Sequence, residues 1–303
     1  MPTWNNIIPF LFSFCLNTNV LAQLKVTFPT SRAVYQRNNA NQATLHVGGY
    51  FDSPLDIIEA RVIPRVAGQG TATDWAVIQI GPTGGQFYGS LPVSGGWYRL
   101  EIRGIRKGVI QSTDLVDRVG IGEVFLVAGQ SNATGGSFLP SGPAAADDRV
   151  SSVNFKNSNS SDGSVPSYAN SQLPYPVFVH LDANTKTAPF GNNAWCWGKF
   201  GDLIASRLNV PVLIFNAGWA GTELANWQKS INPLGLSTSN DGYAFPAGLS
   251  NSSNGYAFPA GMPFGHLRLA LNNYIAQQGY RAILWHQGES DNTIRTSRND
   301  YRN

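Results

Sequence analysis

A run of five apolar residues, Val124 to Ala128, ends in Gly129-Gln130-Ser131-Asn132, and no other stretch limits the possible folds as strongly. Five residues are too few for a helix with a buried face. Apolar character at every position suits a strand covered on both sides, as in parallel sheets sandwiched between helices. A serine on the turn after such a strand stands at the carboxyl edge, where open α/β sheets place their ligands. The helix that follows can aim backbone N–H groups at negative charge developing there. Taken alone, a Gly/Ser/Asn turn is equally well a plain connection.

The pattern returns twice. Val212-Leu213-Ile214-Phe215 leads into Asn216-Ala217-Gly218-Trp219-Ala220-Gly221-Thr222, and Ala282-Ile283-Leu284-Trp285 leads into His286-Gln287-Gly288-Glu289-Ser290-Asp291. Three buried strands that each end in a loop of small and polar residues gather groups from separated parts of the chain at one edge. In their order and spacing, the three motifs resemble those of the sialate O-acetylesterase and acetylxylan-esterase group of SGNH-type hydrolases. The resemblance covers residues 119–303 and implies an α/β, flavodoxin-like, three-layer hydrolase domain.

That resemblance also implies roles. Ser131 becomes the nucleophile, and the oxyanion donors become the Ser131 N–H, the Gly221 N–H and the Gln287 side-chain amide. Glycine lets a backbone N–H approach closely, and a glutamine amide donates without titrating. Gly218 competes with Gly221 for the second donor, and Ala220 stands where the group often has another glycine. Asn132, Glu289 and Asp291 are expected in support; the two carboxylates orient the third loop or simply hold a tight turn. His286 is expected to be structural. In the resembling group the general base comes from an Asp-x-x-His motif well after the Gln-Gly-Glu loop. Here only His46, His180, His266 and His286 are present, and Asn303 follows Asp291 by twelve residues. The expectation is a hydrolase domain incomplete at its C-terminus, without base and acid; the alternative is that His286 or His180 reaches Ser131.

The rest of the chain is consistent with a two-domain protein of 303 residues. Residues 1–22 carry an apolar run, Ile7 to Leu16, too short to span a bilayer, and then Val20-Leu21-Ala22, small residues suited to signal cleavage before Gln23. This predicts a secreted or periplasmic protein in which Cys15 is removed and Cys196 remains unpaired. Residues 24–118 show strand patterns at Leu24–Phe28, 44–50, 57–66, 75–80, 86–91 and 96–103, separated by Gly/Pro turns, and predict an all-β immunoglobulin-like sandwich. It runs without a linker into the serine strand, which predicts a packed interface. Residues 137–194 form a long polar excursion. Helices are expected over 194–208, with Trp197, Phe200, Leu203, Ile204 and Leu208 on one face, and over 265–278, with Leu267, Leu271, Tyr274 and Ile275 on one side and Gly279 at its end. His266, in the first turn of the second helix, is expected to be solvated or capping. Residues 236–248 recur as 249–261 with three differences, a tandem duplication expected in a surface loop.

Charged residues make up only 13% of the chain, the formal charge is +3, and no Lys/Arg run occurs, which argues against nucleic acid or anionic membrane as partners. No His/Cys/Asp/Glu spacing suits a metal and no phosphate-binding loop is present, so neither metal nor cofactor is expected. By resemblance, the expected function is a secreted serine esterase that removes O-acetyl groups from sugars (sialic acid or other acetylated glycans) through an acyl-enzyme on Ser131. The alternative is a carbohydrate-binding or adhesion protein with a degenerate esterase domain; ester turnover separates the two.

Overall fold

The computed structural model describes residues 23–135, 140–156, 173–231 and 261–302, with four short strands between 236 and 258. The expected signal peptide, part of the polar excursion and most of the tandem duplication lie outside the described residues.

Alternation of apolar and polar residues builds the N-terminal part. Strands β1 (Leu24–Phe28), β2 (Val34–Gln36), β3 (Gln42–Phe51), β4 (Ile57–Pro64), β5 (Ala76–Ile80), β6 (Gln86–Ser94), β7 (Gly96–Arg106) and β8 (Val109–Gly129) follow one another. One antiparallel sheet has the order β1-β3-β6, and β5-β4-β7-β8 run side by side in the other. Leu45, Val47, Phe87 and Leu91 from the first sheet and Ile58, Val62, Leu100 and Ile102 from the second belong to one buried cluster. β2 is too short and too polar in its surroundings to be read from the sequence. It pairs in parallel with β8, Val34 opposite Gly120 and Gln36 opposite Gly122.

β8 is the axis of the molecule. Its 21 residues begin in the N-terminal sheet beside β7 and end in the second sheet at Gly129. A bulge at Asp117 and Arg118 marks the change: Leu100 faces Val116, Tyr98 faces Val119, and Arg118 adopts φ 61°. An extra residue bends a strand and resets which side chains point inward. Before the bulge Leu115 is exposed; after it every residue from Val119 to Gly129 is buried. The expected boundary at 118/119 therefore falls inside one continuous strand.

The chain continues through α1 (Ser131–Thr134), β9 (Val150–Val153), β10 (Phe178–His180), α2 (Trp197–Leu208), β11 (Val212–Asn216) and α3 (Leu224–Ile231). Then come β12 (Leu236–Thr238), β13 (Ala244–Pro246), β14 (Ser250–Asn251), β15 (Ala257–Phe258), α4 (Phe264–Ala270), β16 (Ala282–His286), α5 (Glu289–Thr293) and α6 (Arg298–Arg302). In the second sheet the order is β10-β9-β11-β8, with β16 on the other side of β8. β9, β11, β8 and β16 are parallel, and β10 is antiparallel to β9. Phe125, Val127, Val212 and Ile214 share a buried cluster with Trp197 and Ala205 of α2. Val124, Leu126, Leu213 and Phe215 lie in the other cluster, with Leu269, Tyr274 and Ile275. Alternate residues of the same strands thus meet helices on opposite faces, which makes three layers.

Several expectations are corrected. β16 is covered only in part on one face: Ile283 is 37% and Trp285 44% exposed, because α3 reaches that side through Trp227, which stands edge-on to Trp285 at 5.0 Å between ring centroids. α2 buries Trp197, Gly198, Gly201 and Ala205, while Leu203 and Leu208 face solvent; small residues at the contact let the helix approach Val150 closely. The second helix changes from α to π at Leu271–Ile275 and ends at Gly279 with φ 70°. Its buried residues include His266, Leu269, Ala270, Tyr274 and Ile275, so His266 is in the core rather than solvated. The described strands of the two repeats pair alike. β12 pairs with β13 and β14 with β15, and Ser237 opposite Phe245 recurs thirteen residues later as Ser250 opposite Phe258.

One buried carboxylate joins the two parts. Glu123, 2% exposed, accepts from Arg37 Nε (2.8 Å), Arg281 Nε (2.7 Å) and Gln36 Nε2 (3.0 Å). Burial alone would raise its pKa, but hydrogen bonds and charge from Arg281, Gln36 and Arg37 outweigh that and hold it below the ordinary glutamate value. Glu123→Gln keeps the shape and leaves two guanidiniums short of their counter-charge, an expected loss of about 3–5 kcal/mol at neutral pH. A depressed carboxylate pKa contributes stability above the unfolded value of about 4.3 and loses it as pH falls through the folded value. Urea unfolding as a function of pH should therefore show a shallower acid limb for Glu123→Gln than for the wild type.

Candidate active site

The three motif loops meet at the carboxyl ends of β11, β8 and β16. The parallel pairing sets them level: Asn216 lies opposite Val127, and His286 opposite Gly129. Gly129 turns the chain at φ 127°, and a Cβ there would sit 2.0 Å from the His286 carbonyl oxygen, so only glycine lets β8 leave the sheet this close to β16. Ser131 follows, half-buried, as the first residue of α1. Its helix is pinned from below: the Ala133 carbonyl accepts from Asn216 Nδ2 (2.7 Å) and Trp197 Nε1 (2.8 Å).

A hydrogen-bonded knot fixes the loops to one another. Gln130 Oε1 accepts from Gln287 Nε2 (2.9 Å), Gly288 N (3.3 Å) and Ser290 N (3.1 Å). Gln287 Nε2 also faces the Thr222 carbonyl (2.6 Å) and Asp291 Oδ2 (3.0 Å), while Gln287 Oε1 lies 3.2 Å from Thr222 Oγ1. Asp291 receives the Leu224 N–H with both oxygens at 3.1 Å, capping the start of α3. Asn132 Nδ2 donates to Glu289 Oε1, the same oxygen that lies 3.3 Å from His286 Nε2. Glu289 and Asp291 thus bond the third loop to the serine turn and to α3.

The oxyanion donors expected from the sequence fare differently. Gly218 N–H donates to Asn216 Oδ1 at 2.9 Å and is committed. Neither Gly221 N–H, at φ 78°, nor Ser131 N–H has an acceptor among the described residues. Gln287 has three acceptors for its two amide hydrogens, so in this structure its donors brace the loops instead of facing open space over Ser131. Gln130 and Thr222 were quoted within motifs without a role. A polar residue buried beside a catalytic-looking serine was the available signal, and only the fold shows what each one bonds.

None of the described imidazoles hydrogen-bonds Ser131 Oγ. His46 stacks on Tyr88 in the N-terminal sheet. His180 is engaged by Asp182 Oδ1 (2.9 Å) and the Asp147 carbonyl (3.2 Å) on edge strand β10. His266 is stacked in the core, and His286 faces Glu289. Among the described residues, no group of His, Cys, Asp and Glu side chains is arranged to hold a metal, and no helix is long and apolar enough to cross a membrane.

A family model described as "carbohydrate esterase, sialic acid-specific acetylesterase" matches residues 121–303. The chain is also similar to the crystal structure of a carbohydrate acetylesterase from Xanthomonas citri, at 22% identity and a TM-score of 0.43, over 86% of this chain and 50% of that one. It thus spans about half the length of that protein. No curated protein matches the chain.

The knot itself is testable. Gln130→Leu removes the acceptor of the Gly288 and Ser290 N–H groups and leaves those two donors unsatisfied, while Gln287 keeps Thr222 and Asp291. Equilibrium urea unfolding should show a loss of about 1–3 kcal/mol, the cost of stranding buried polar groups; an unchanged midpoint would show that the loops are held by other means.

Proposed function

We propose, from the premise that this chain belongs to the carbohydrate esterase family of sialic acid-specific acetylesterases, that it removes O-acetyl groups from sugars through an acyl-enzyme on Ser131. The observation that carries this reading is the pair of uncommitted N–H groups, Ser131 and Gly221, beside a half-buried serine at the carboxyl edge of a parallel sheet. Ser131 Oγ attacks the acetyl carbonyl carbon and gives up its proton to a general base. The former carbonyl oxygen becomes negative between the two N–H groups. Collapse breaks the bond to the sugar oxygen, which takes the proton, and water then releases acetate from the serine by the same steps.

In this reading Gln287, Gln130, Thr222 and Asp291 keep the two N–H groups at a fixed separation, and Asn132 with Glu289 fixes the turn around Ser131. None of the described imidazoles hydrogen-bonds Ser131 Oγ: His180 is held by Asp182, His286 faces Glu289, and His266 is stacked in the core. A shallow cavity of about 520 Å³ lies beside the knot, lined by Gln287, Asp291, Asn292, Thr296, Arg298 and Tyr301 and not by Ser131. The N-terminal β part is read as an immunoglobulin-like sandwich buttressing the hydrolase, and residues 1–22 as a secretion signal.

Ser131→Ala in the whole protein should abolish acetate release from an acetylated sugar or an aryl acetate and leave the unfolding midpoint unchanged; persisting turnover would remove Ser131 from the chemistry. His286, on the same loop as Gln287, is the first imidazole to test as the general base: His286→Ala should leave turnover within about threefold if its contact with Glu289 is structural, and a loss of about 10⁴-fold would make it the base. Mass spectrometry of exported protein should find an N-terminus at Gln23.

A further inference from the structure

His266 is the one histidine that lies wholly inside the protein, at 0% exposure, and neither of its ring nitrogens makes a hydrogen bond of ordinary geometry among the described residues, although the Gly218 carbonyl faces the ring. An unsatisfied buried polar group is destabilising by about 1–3 kcal/mol, so an apolar side chain would serve simple packing better. Its surroundings show what the ring does. One face lies on Phe190, centroids 3.4 Å apart and planes 2° from parallel; the other lies on Trp219, at 4.2 Å and 21°. The three rings form a column. Burial depresses the pKa of the imidazole well below the ordinary histidine value, against the Gly218 carbonyl that faces it and with Lys156 acting in the same sense as burial. The ring is therefore neutral.

Both ends of the column are tied to the loop that carries Gly221. Phe190 N donates to the Asn216 carbonyl (3.0 Å), where the loop begins. Trp219 N donates to the Gly129 carbonyl (2.7 Å), two residues before Ser131, and the Trp219 carbonyl accepts from Thr222 Oγ1 (2.9 Å). Trp219 is thus bonded to the serine turn through its backbone and to the core through its indole. Gly221, with its uncommitted N–H, lies between Trp219 and Thr222. The position of that N–H depends on where Trp219 stands, and Trp219 stands on His266.

We propose that His266 is a positioning residue for the acyl-transfer step, a flat spacer that sets the height of Trp219 and so the distance of the Gly221 N–H from the reacting oxygen. This rests on the reading of Ser131 as nucleophile. The role requires the planar ring and does not require its nitrogens or a charge.

The test compares three substitutions in the whole protein, with an aryl acetate as substrate. His266→Phe keeps a plane between Phe190 and Trp219 and should retain kcat within about threefold, with the same pH profile as the wild type. His266→Leu has similar volume but no plane. It should lower kcat roughly 10- to 100-fold with KM nearly unchanged, the range expected when a catalytic donor is misplaced by about an ångström. Amide hydrogen exchange at 217–222 should accelerate in His266→Leu and not in His266→Phe, a readout that needs no turnover. Ser131→Ala serves as the separate control: if it stays active, the nucleophile reading fails whatever the His266 variants do. Full activity and unchanged exchange in His266→Leu would overturn the positioning role. So would a loss in His266→Phe as large as that in His266→Leu, which would mean that the nitrogens matter. Should His266→Leu fail to fold, the His266→Phe activity and exchange data decide by themselves.

Discussion

Everything downstream of residue 109 depends on β8 continuing from one sheet into the other without a break. A strand of 21 residues is several times the usual length, and it would twist out of any single sheet if its environment did not change along the way. The bulge at Asp117 and Arg118 makes that change, and Glu123 fixes it. Glu123 sits where β2, β11 and the start of β16 converge, and its carboxylate collects Arg37 and Gln36 from the N-terminal part and Arg281 from just ahead of β16. A buried charge is tolerable only when its partners satisfy it, so this contact is specific as well as strong. A second contact works at the surface. Asp148 accepts from Arg32, Arg118 and the Trp97 indole; burial raises its pKa, but those partners bring it down to about 2. The two parts meet as a packed interface that also orients the strand carrying the serine turn.

The same rigidity reaches the candidate site through its polar residues. A single loop of Gly, Ser and Asn holds a nucleophile poorly, because small polar residues have many alternative conformations. Here three such loops are cross-braced by amide and carboxylate side chains, with Gln130 and Gln287 facing each other and Asp291 spanning to α3. Each contact is modest. Their value lies in mutual restraint, since moving one loop breaks bonds to the other two. Preorganised donors cost no reorganisation when charge develops, so such a brace is what an oxyanion site requires.

How much of this could be read from the sequence varied with the kind of residue. Strands of uniform or alternating apolar character, such as β7, β11 and the second half of β8, were legible because their side chains record their burial. β9 was not: Ser151 and Ser152 are fully buried, and Ser152 reaches that position by donating to the Ile214 carbonyl at 2.7 Å, a bond no composition reveals. α2 misled because its contact face uses Gly198 and Gly201 while Leu203 is exposed, which reverses the usual stripe. For the site, Ser131 and its loops stood out as residue types in series. The choice between Gly218 and Gly221 did not, because it depends on whether Asn216 turns its side chain back on its own loop.

Gln287 illustrates why motif and mechanism separate at this point. Its amide was expected as a donor because of what a glutamine can do, yet the structure surrounds that amide with Gln130, Thr222 and Asp291. An amide nitrogen with two hydrogens and three acceptors within 3.0 Å has no donor to spare, whereas the backbone N–H groups of Ser131 and Gly221 have no competing acceptor among the described residues. Backbone donors are also the cheaper solution physically. They lose no side-chain entropy when held in place, and a helix start and a left-handed glycine leave them unpaired as a matter of geometry. Side chains then become free to act one layer out, where Gln287 ties the loops and the His266 column sets the loop height. On the proposed reading the charge-facing groups are the simplest in the site, and the residues with the most hydrogen-bonding capacity stand behind them.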